Sequence, residues 1–249
     1  MKLTISNVSF SYDQMPVLDN ISFHVHKGEF VSILGPSGLG KSTILNLLTG
    51  ILPCTHGNIY VDDISLKGMS ISERNRHFAY MPQNDLLLPW KNILDNVCLY
   101  GSIHGHKKQA RKKALENFSV FGLEGYEKAY PSSLSGGMRQ RAAFLRTALC
   151  DADILLLDEP FGALDVISRA DMQDWLVSIR RQLNRTVLLV THDIDEAIYL
   201  SDRILLLGHR PASITKEITI EETHRTRSWL FKQNALKQLI YESIMEGSV

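Results

Sequence analysis

The sequence predicts an α/β fold with a mostly parallel sheet, an N-terminal antiparallel β subdomain and an inserted α-helical subdomain. Three observations carry this. An all-apolar run, Phe30 to Leu34, passes through a glycine-rich turn into Ile44, Leu47, Leu48 and Ile51, which repeat at helical spacing. From residue 151 onward, apolar runs alternate with amphipathic stretches in the βαβα order of a parallel sheet. Between them, residues 86–150 are mostly helical in pattern and interrupt the alternation.

Taken in order, residues 2–10 and 17–26 alternate as strands, with Leu3, Ile5, Val8 and Phe10, then Ile21, Phe23 and Val25, on one side. Lys27-Gly28-Glu29 is a tight turn into the run at 30–34. Short strands follow at Asn58–Asp62 and Phe78–Met81, the second stopped by Pro82. Ala110, Ala114, Phe118 and Phe121 share one helix face, while Lys107, Lys108, Arg111, Lys112 and Lys113 cover the others as a solvated surface. Met138, Ala142, Leu145 and Leu149 mark the next helix. Ile154–Leu157 and Val187–Val190 are continuous apolar runs of the kind buried on both faces. Met172, Trp175, Leu176, Ile179 and Leu183 form the helix between them. Ile194–Leu200 is a short helix and Ile204–Leu207 a further strand. The tail adds a strand, Ser213–Ile220, and a helix with Leu236, Leu239, Ile240 and Ile244 on one side. This gives one domain over 1–249: an α/β core from 1–85 and 151–212, a helical subdomain at 86–150 and a tail at 213–249.

Composition narrows the role. The 27 basic and 27 acidic side chains balance, so no global basic field points to nucleic acid. The three cysteines, Cys54, Cys98 and Cys150, lack C-x-x-C spacing and read as free thiols in a reducing compartment. No signal-peptide pattern opens the chain, and no apolar run approaches the ~18 residues of a membrane span. The expectation is a cytosolic protein that reaches any membrane through a partner.

Gly35-Pro36-Ser37-Gly38-Leu39-Gly40-Lys41-Ser42 matches G-x-x-x-x-G-K-[ST] between a strand and a helix. Such a turn aims backbone N–H groups and a helix dipole at one point, which suits phosphate. The pattern assigns Lys41 to the β/γ-phosphates and Ser42 to Mg²⁺. Asp158 and Glu159 emerge where the apolar strand at 154–157 ends, and ligands of α/β sheets bind beyond such ends. Asp158 is placed to hold Mg²⁺ and Glu159 to act as general base on water. Ser135-Gly136-Gly137 opens a helix and makes a second anion cradle, with Ser135 as N-cap. Two cradles in one chain suggest two copies facing each other, each covering the other's nucleotide. Singly, each pattern has a plainer reading: a glycine turn with a surface lysine, a strand ending in solvated carboxylates, a helix start.

Together the motifs resemble those of the ATP-binding subunits of ABC transporters, over residues 1 to about 210. Gly35–Ser42 matches the Walker A loop of a P-loop NTPase core, with Thr43 beside it; Leu134–Met138 matches the signature and Ile154–Glu159 Walker B. The resemblance implies that Tyr12 stacks on adenine. It implies that Gln83 contacts Mg²⁺ and the attacking water and links to a transmembrane partner. It makes Ala163-Leu164-Asp165 the D-loop, with Asp165 at the nucleotide, and His192 the switch histidine at the γ-phosphate. The catalytic set is then Glu159, His192, Gln83 and Lys41, with ATP and Mg²⁺ as cofactors. Met138 stands where the family has glutamine, and Gly162 where serine is common.

Residues 83–97, Pro160–Asp165, Thr191–Ala197 and Arg210-Pro211 are similar to the nitrate, sulfonate and taurine importers, a group that includes importers of thiamine pyrimidine precursors. That resemblance implies a homodimer on the cytoplasmic face of the membrane, bound to permease subunits, with an extracytoplasmic solute-binding protein acting through the permease. Leu86–Trp90 would edge the groove that receives the permease. Two other roles share the same core. One is export or lipoprotein release; the other is a soluble ATPase on ribosomes or DNA, which one cassette without a coiled-coil insertion disfavours.

Overall fold

The computed structural model describes residues 1–247, without the side chains of 181 and 182; the last two residues of the expected tail lie outside it. The chain opens with a hairpin of β1 (Leu3–Tyr12) and β2 (Met15–Val25), turned at Asp13, whose φ is 53°. Strand β3 (Phe30–Leu34) feeds helix α1 (Lys41–Thr49). Strands β4 (His56–Val61) and β5 (Ile64–Ser65), helix α2 (Ile71–Arg74) and strand β6 (Phe78–Met81) follow. Four helices come next: α3 (Ile93–Val97), α4 (Leu99–Ile103), α5 (Lys107–Phe118) and α6 (Gly136–Ala148). The chain returns through β7 (Ile154–Asp158), α7 (Val166–Leu183), β8 (Thr186–Thr191), α8 (Ile194–Leu200), β9 (Arg203–Gly208) and β10 (Ser213–Thr219). Helices α9 (Arg227–Phe231) and α10 (Asn234–Glu246) end the described residues.

Two sheets result. The first, in order β2-β1-β4-β5, is antiparallel. The second runs β10-β9-β3-β8-β7-β6, parallel except for the β10 edge. This is the expected mostly parallel sheet with an antiparallel N-terminal companion.

The strand pleat explains how the layers hold together. Along β7, Leu155 and Leu157 enter the core beneath the helices, while Ile154 and Leu156 enter the core shared with α1 and the antiparallel sheet. Leu189 and Leu188 divide the same way on β8, and Leu206 and Leu205 on β9. Because each face has a cover, these strands read as unbroken apolar runs. Burying each such leucine is worth about 1.5–3 kcal/mol.

Two expectations at helix ends differ. Helix α1 stops at Thr49 because Gly50 turns left-handed at φ 80°, so Ile51 is 55% exposed rather than part of the buried face. On α10, Ile240 is buried but Leu239 is 43% exposed, one position off the stripe. The basic face of α5 lies in solvent, over Ala114 and Phe118, as its pattern predicts. No helix among the described residues is long and apolar enough to cross a membrane.

Candidate nucleotide-binding site

Strands β3, β8 and β7 are neighbours, and their C-terminal ends carry Gly35, His192 and Glu159 side by side. The ladder continues past the strands: Glu159 N–H donates to the Val190 carbonyl at 2.9 Å, and Gly35 N–H to Thr191 at 3.4 Å. At Gly35 a side chain would start 2.7 Å from the Leu207 carbonyl oxygen, so only glycine passes. Gly40 caps α1 at φ 88°, and no side chain caps that helix. Its first N–H groups therefore have no side-chain acceptor and point into the loop, the arrangement that receives an anion.

Lys41 is 4% exposed. Its ammonium donates to the carbonyls of Gly35 and Pro36, both at 2.9 Å, and lies 3.7 Å from Glu159 Oε1. Burial pushes its pKa below the usual lysine value, against the pull of Glu159 and Asp158. Ser42 Oγ donates to Asp158 Oδ1 at 3.0 Å, and the Tyr80 hydroxyl donates to Asp158 Oδ2 at 3.0 Å. Asp158 is buried, and burial pushes its carboxyl up.

Glu159 is the meeting point. Besides Lys41, it accepts from Gln83 Nε2 at 3.5 Å, and His192 Nδ1 lies 3.1 Å from its Oε2. Its backbone is left-handed, at φ 43°, a conformation uncommon outside glycine and enriched at working sites. Tyr12, Ser37, Gly38, Gly40, Lys41, Ser42, Thr43 and Glu159, with Val17, line one cavity of about 330 Å³.

Leu39 is buried just outside that cavity. Ser135, Gly136, Gly137 and Asp165 also lie elsewhere. Ser135 caps α6, accepting from the Met138 N–H at 3.3 Å. Ser135 and Gly137 line a separate cavity of about 160 Å³ with Met138, Arg141, Ser168, Asp171 and Met172. The Asp165 carboxylate caps α7, accepting from Ile167 and Ser168 N–H, both at 3.1 Å. Within one chain, then, the second cradle does not meet the first.

Sequence reasoning missed three supports. Tyr80 reaches Asp158 only because β6 pairs with β7, Tyr80 opposite Leu156. Glu196 is buried behind His192, accepting from Thr191 Oγ1 at 2.6 Å and Gln173 Nε2 at 3.2 Å. Thr191 Oγ1 in turn accepts from Asp193 N–H at 3.0 Å, which holds the backbone on either side of His192. Gln140 donates to the carbonyl of Pro160 and ties α6 to the segment after Glu159. A polar residue within an apolar helix face, as Gln140 and Glu196 are, was the available signal.

The family model described as ABC transporter matches residues 18–162. The formylaminopyrimidine import ATP-binding protein ThiZ of Halalkalibacterium halodurans is 42% identical, over 99% of this chain and 98% of its own. The aliphatic sulfonates import ATP-binding protein SsuB 1 of Rhodococcus jostii is 47% identical, over 88% and 83%. Among solved structures, a dimeric post-hydrolysis state of the ATP-binding cassette MJ0796, bound to ADP and Pi, superposes with a TM-score of 0.74. It is 29% identical and covers 88% of this chain and 99% of that one.

Proposed function

Since the chain belongs to the ABC transporter family of ATP-binding subunits, an ATP-hydrolysing family, we propose that it powers a membrane importer of a small organic solute. The observation that supports this most is the convergence of Lys41, Gln83 and His192 on one carboxylate, Glu159, at the mouth of an N–H-lined loop.

In this reading Tyr12 stacks on adenine beside Val17. Gly35 to Thr43 cradle the phosphates, and Lys41 leaves its own loop carbonyls to neutralise them. Glu159 takes the proton of the attacking water, which Gln83 and His192 orient. The oxygens of Ser42 and Asp158, 3.0 Å apart, suit Mg²⁺, which needs few protein ligands when phosphate and water complete its shell. When bound, that ion offsets phosphate charge; Tyr80 keeps Asp158 aimed for it. Ser135-Gly136-Gly137 of a second copy closes over the phosphates, and Asp165 approaches the same site from that copy.

Relatives named for importing formylaminopyrimidine and aliphatic sulfonates indicate the solute class. The protein then sits peripherally on the cytoplasmic face, beneath permease subunits fed by an extracytoplasmic binding protein. Leu86 and Trp90, 61% and 71% exposed, border the surface offered to the permease. Affinity isolation from membranes tests the proposal. A small permease should co-purify, and ATPase activity in vesicles should rise when loaded binding protein is added. Ribosomes in the isolate, with no membrane protein, overturn it.

A further inference from the structure

We infer that Arg210 of one chain and Asp171 of a second copy form an ion pair across the closed dimer, an inference that rests on the composite-site reading above. Arg210 follows β9 in a turn held on both sides. Ala212 N–H donates to the Val17 carbonyl at 2.8 Å, Asp19 N–H donates to the Ala212 carbonyl at 2.9 Å, and His209 N–H donates to Gly247. The turn therefore has little freedom, yet the Arg210 side chain is exposed. Its Nη2 lies 3.6 Å from where a side chain on Gly38 would begin, so the charge flanks the apex of the phosphate loop. Among the described residues Arg210 has no hydrogen-bond or ion-pair partner.

Asp171 is the complementary case. It projects from α7 into the cavity that Ser135 and Gly137 share with Ser168, and it is exposed. The neighbouring carboxylates are all engaged: Asp165 caps α7, Asp174 accepts from Tyr199 and Arg227, and Asp193 pairs with Arg169. Asp171 has no such partner among the described residues. Arg141 lines the same cavity, but its guanidinium lies over the Trp175 ring, 5.5 Å from the centroid, and forms no ion pair with Asp171.

Dimer closure seats one copy's Ser135-Gly136-Gly137 against the other's phosphate loop. The motion that brings Gly137 toward Gly38 also brings the Asp171 cavity toward the guanidinium beside Gly38. Covering either charge without the other would leave a desolvated ion unpaired, which is costly. Pairing them removes that cost, and two-fold symmetry repeats the pair at both sites. Opposite charges at a closing interface also select the correct partner face and speed encounter.

The test is a charge-reversal cycle in the Glu159→Gln background with MgATP, read as the dimer dissociation constant by sedimentation. Arg210→Glu and Asp171→Arg should each weaken the ATP dimer by about tenfold or more, since like charges across an interface repel strongly. Together they should return it to within about threefold of the background, because the pair is re-formed in reverse. ATP affinity of the isolated chains and their melting temperature should not move. If a reversal lowers the melting temperature, Arg210→Gln and Asp171→Asn replace it, and non-additive losses are expected. Additive losses, or no loss on Arg210→Glu, overturn the pair. A Glu159→Gln chain that stays monomeric with ATP overturns the composite site itself, and the pair with it.

Discussion

At Glu159 the backbone adopts φ 43° directly after five buried residues of β7, and the turn throws the carboxylate among Lys41, Gln83 and His192. A non-glycine residue held there costs of order 1–3 kcal/mol, and such positions cluster where a group must meet a ligand rather than support a fold. Glu159→Gln should retain ATP binding and lower turnover at least ~100-fold, the scale of losing a general base; phosphate release under saturating ATP reads it. Near-normal turnover removes Glu159 from that role. Glu196 makes a second prediction. Burial raises its pKa from 4.5 to about 7, against the opposing hydrogen bond from Thr191. Between those values the folded chain binds a proton that the unfolded chain releases. Glu196 therefore contributes stability at low pH that is lost as pH rises toward 7. Glu196→Gln should flatten that part of the stability–pH curve in urea titrations; an unchanged slope assigns the dependence elsewhere. Lys41, Ser42, Asp158 and Glu159 were legible in the sequence because each lies in a contiguous pattern with a fixed strand or helix beside it. Tyr80 and Glu196 were not, because their partners come from strand register and helix burial, which no local pattern encodes.

At the scale of elements, α6 does more than present Ser135. Arg139 Nε donates to Asp85 Oδ2 at 3.2 Å, and the Arg146 guanidinium donates to the carbonyls of Asp85 and Leu86. Leu86 itself is left-handed, with φ 44°. The segment after Gln83, which borders the surface proposed for the permease, is thus pinned to the helix that carries the second cradle. A planar guanidinium suits this, because its fork fixes the spacing of its two donors, whereas an ammonium is a compact point charge on a flexible stem. Arg146→Ala should cost about 1–3 kcal/mol in unfolding free energy and speed amide exchange at 84–88, with ATP binding unchanged. Arg146→Lys should recover little of it. Equal exchange rates would show that the pin is idle. Helix existence here followed from apolar spacing, whereas the ends did not: Ile51 continues the α1 pattern on paper, and only the left-handed Gly50 ends it. The charged pins were invisible for a similar reason, since arginine on a helix reads as a solvated face until its acceptors are seen.

For the whole molecule, the fold class was legible because apolar continuity signals strands covered on both sides, and the described sheet has two covers. The assembly is the part that a single chain leaves open. Ser135 and Gly137 line a different cavity from the phosphate loop, and the proposed composite site brings the two together from two copies. Ser135→Arg should abolish hydrolysis while isolated chains still bind ATP. Mixing it with Lys41→Ala chains should restore activity, because one of the two sites then combines an intact Lys41 with an intact Ser135. Loss of ATP binding by Ser135→Arg chains alone would contradict that assignment.

The pairing of β6 with β7 has a mechanical side. Helices α3 to α6 leave the sheet after Met81 and rejoin it at Ile154, and these residues belong to adjacent parallel strands in which Phe78 lies opposite Ile154. The excursion is attached at the top of one strand and the bottom of its neighbour, like a door hung from two pins on a single jamb. Ser135 rides on that excursion whereas Lys41, His192 and Glu159 do not, and the hydrogen bond from Gln140 to the Pro160 carbonyl is a further tie between the two. The second cradle and the carboxylate thus hang on different stretches of the chain, joined at the jamb and through that bond.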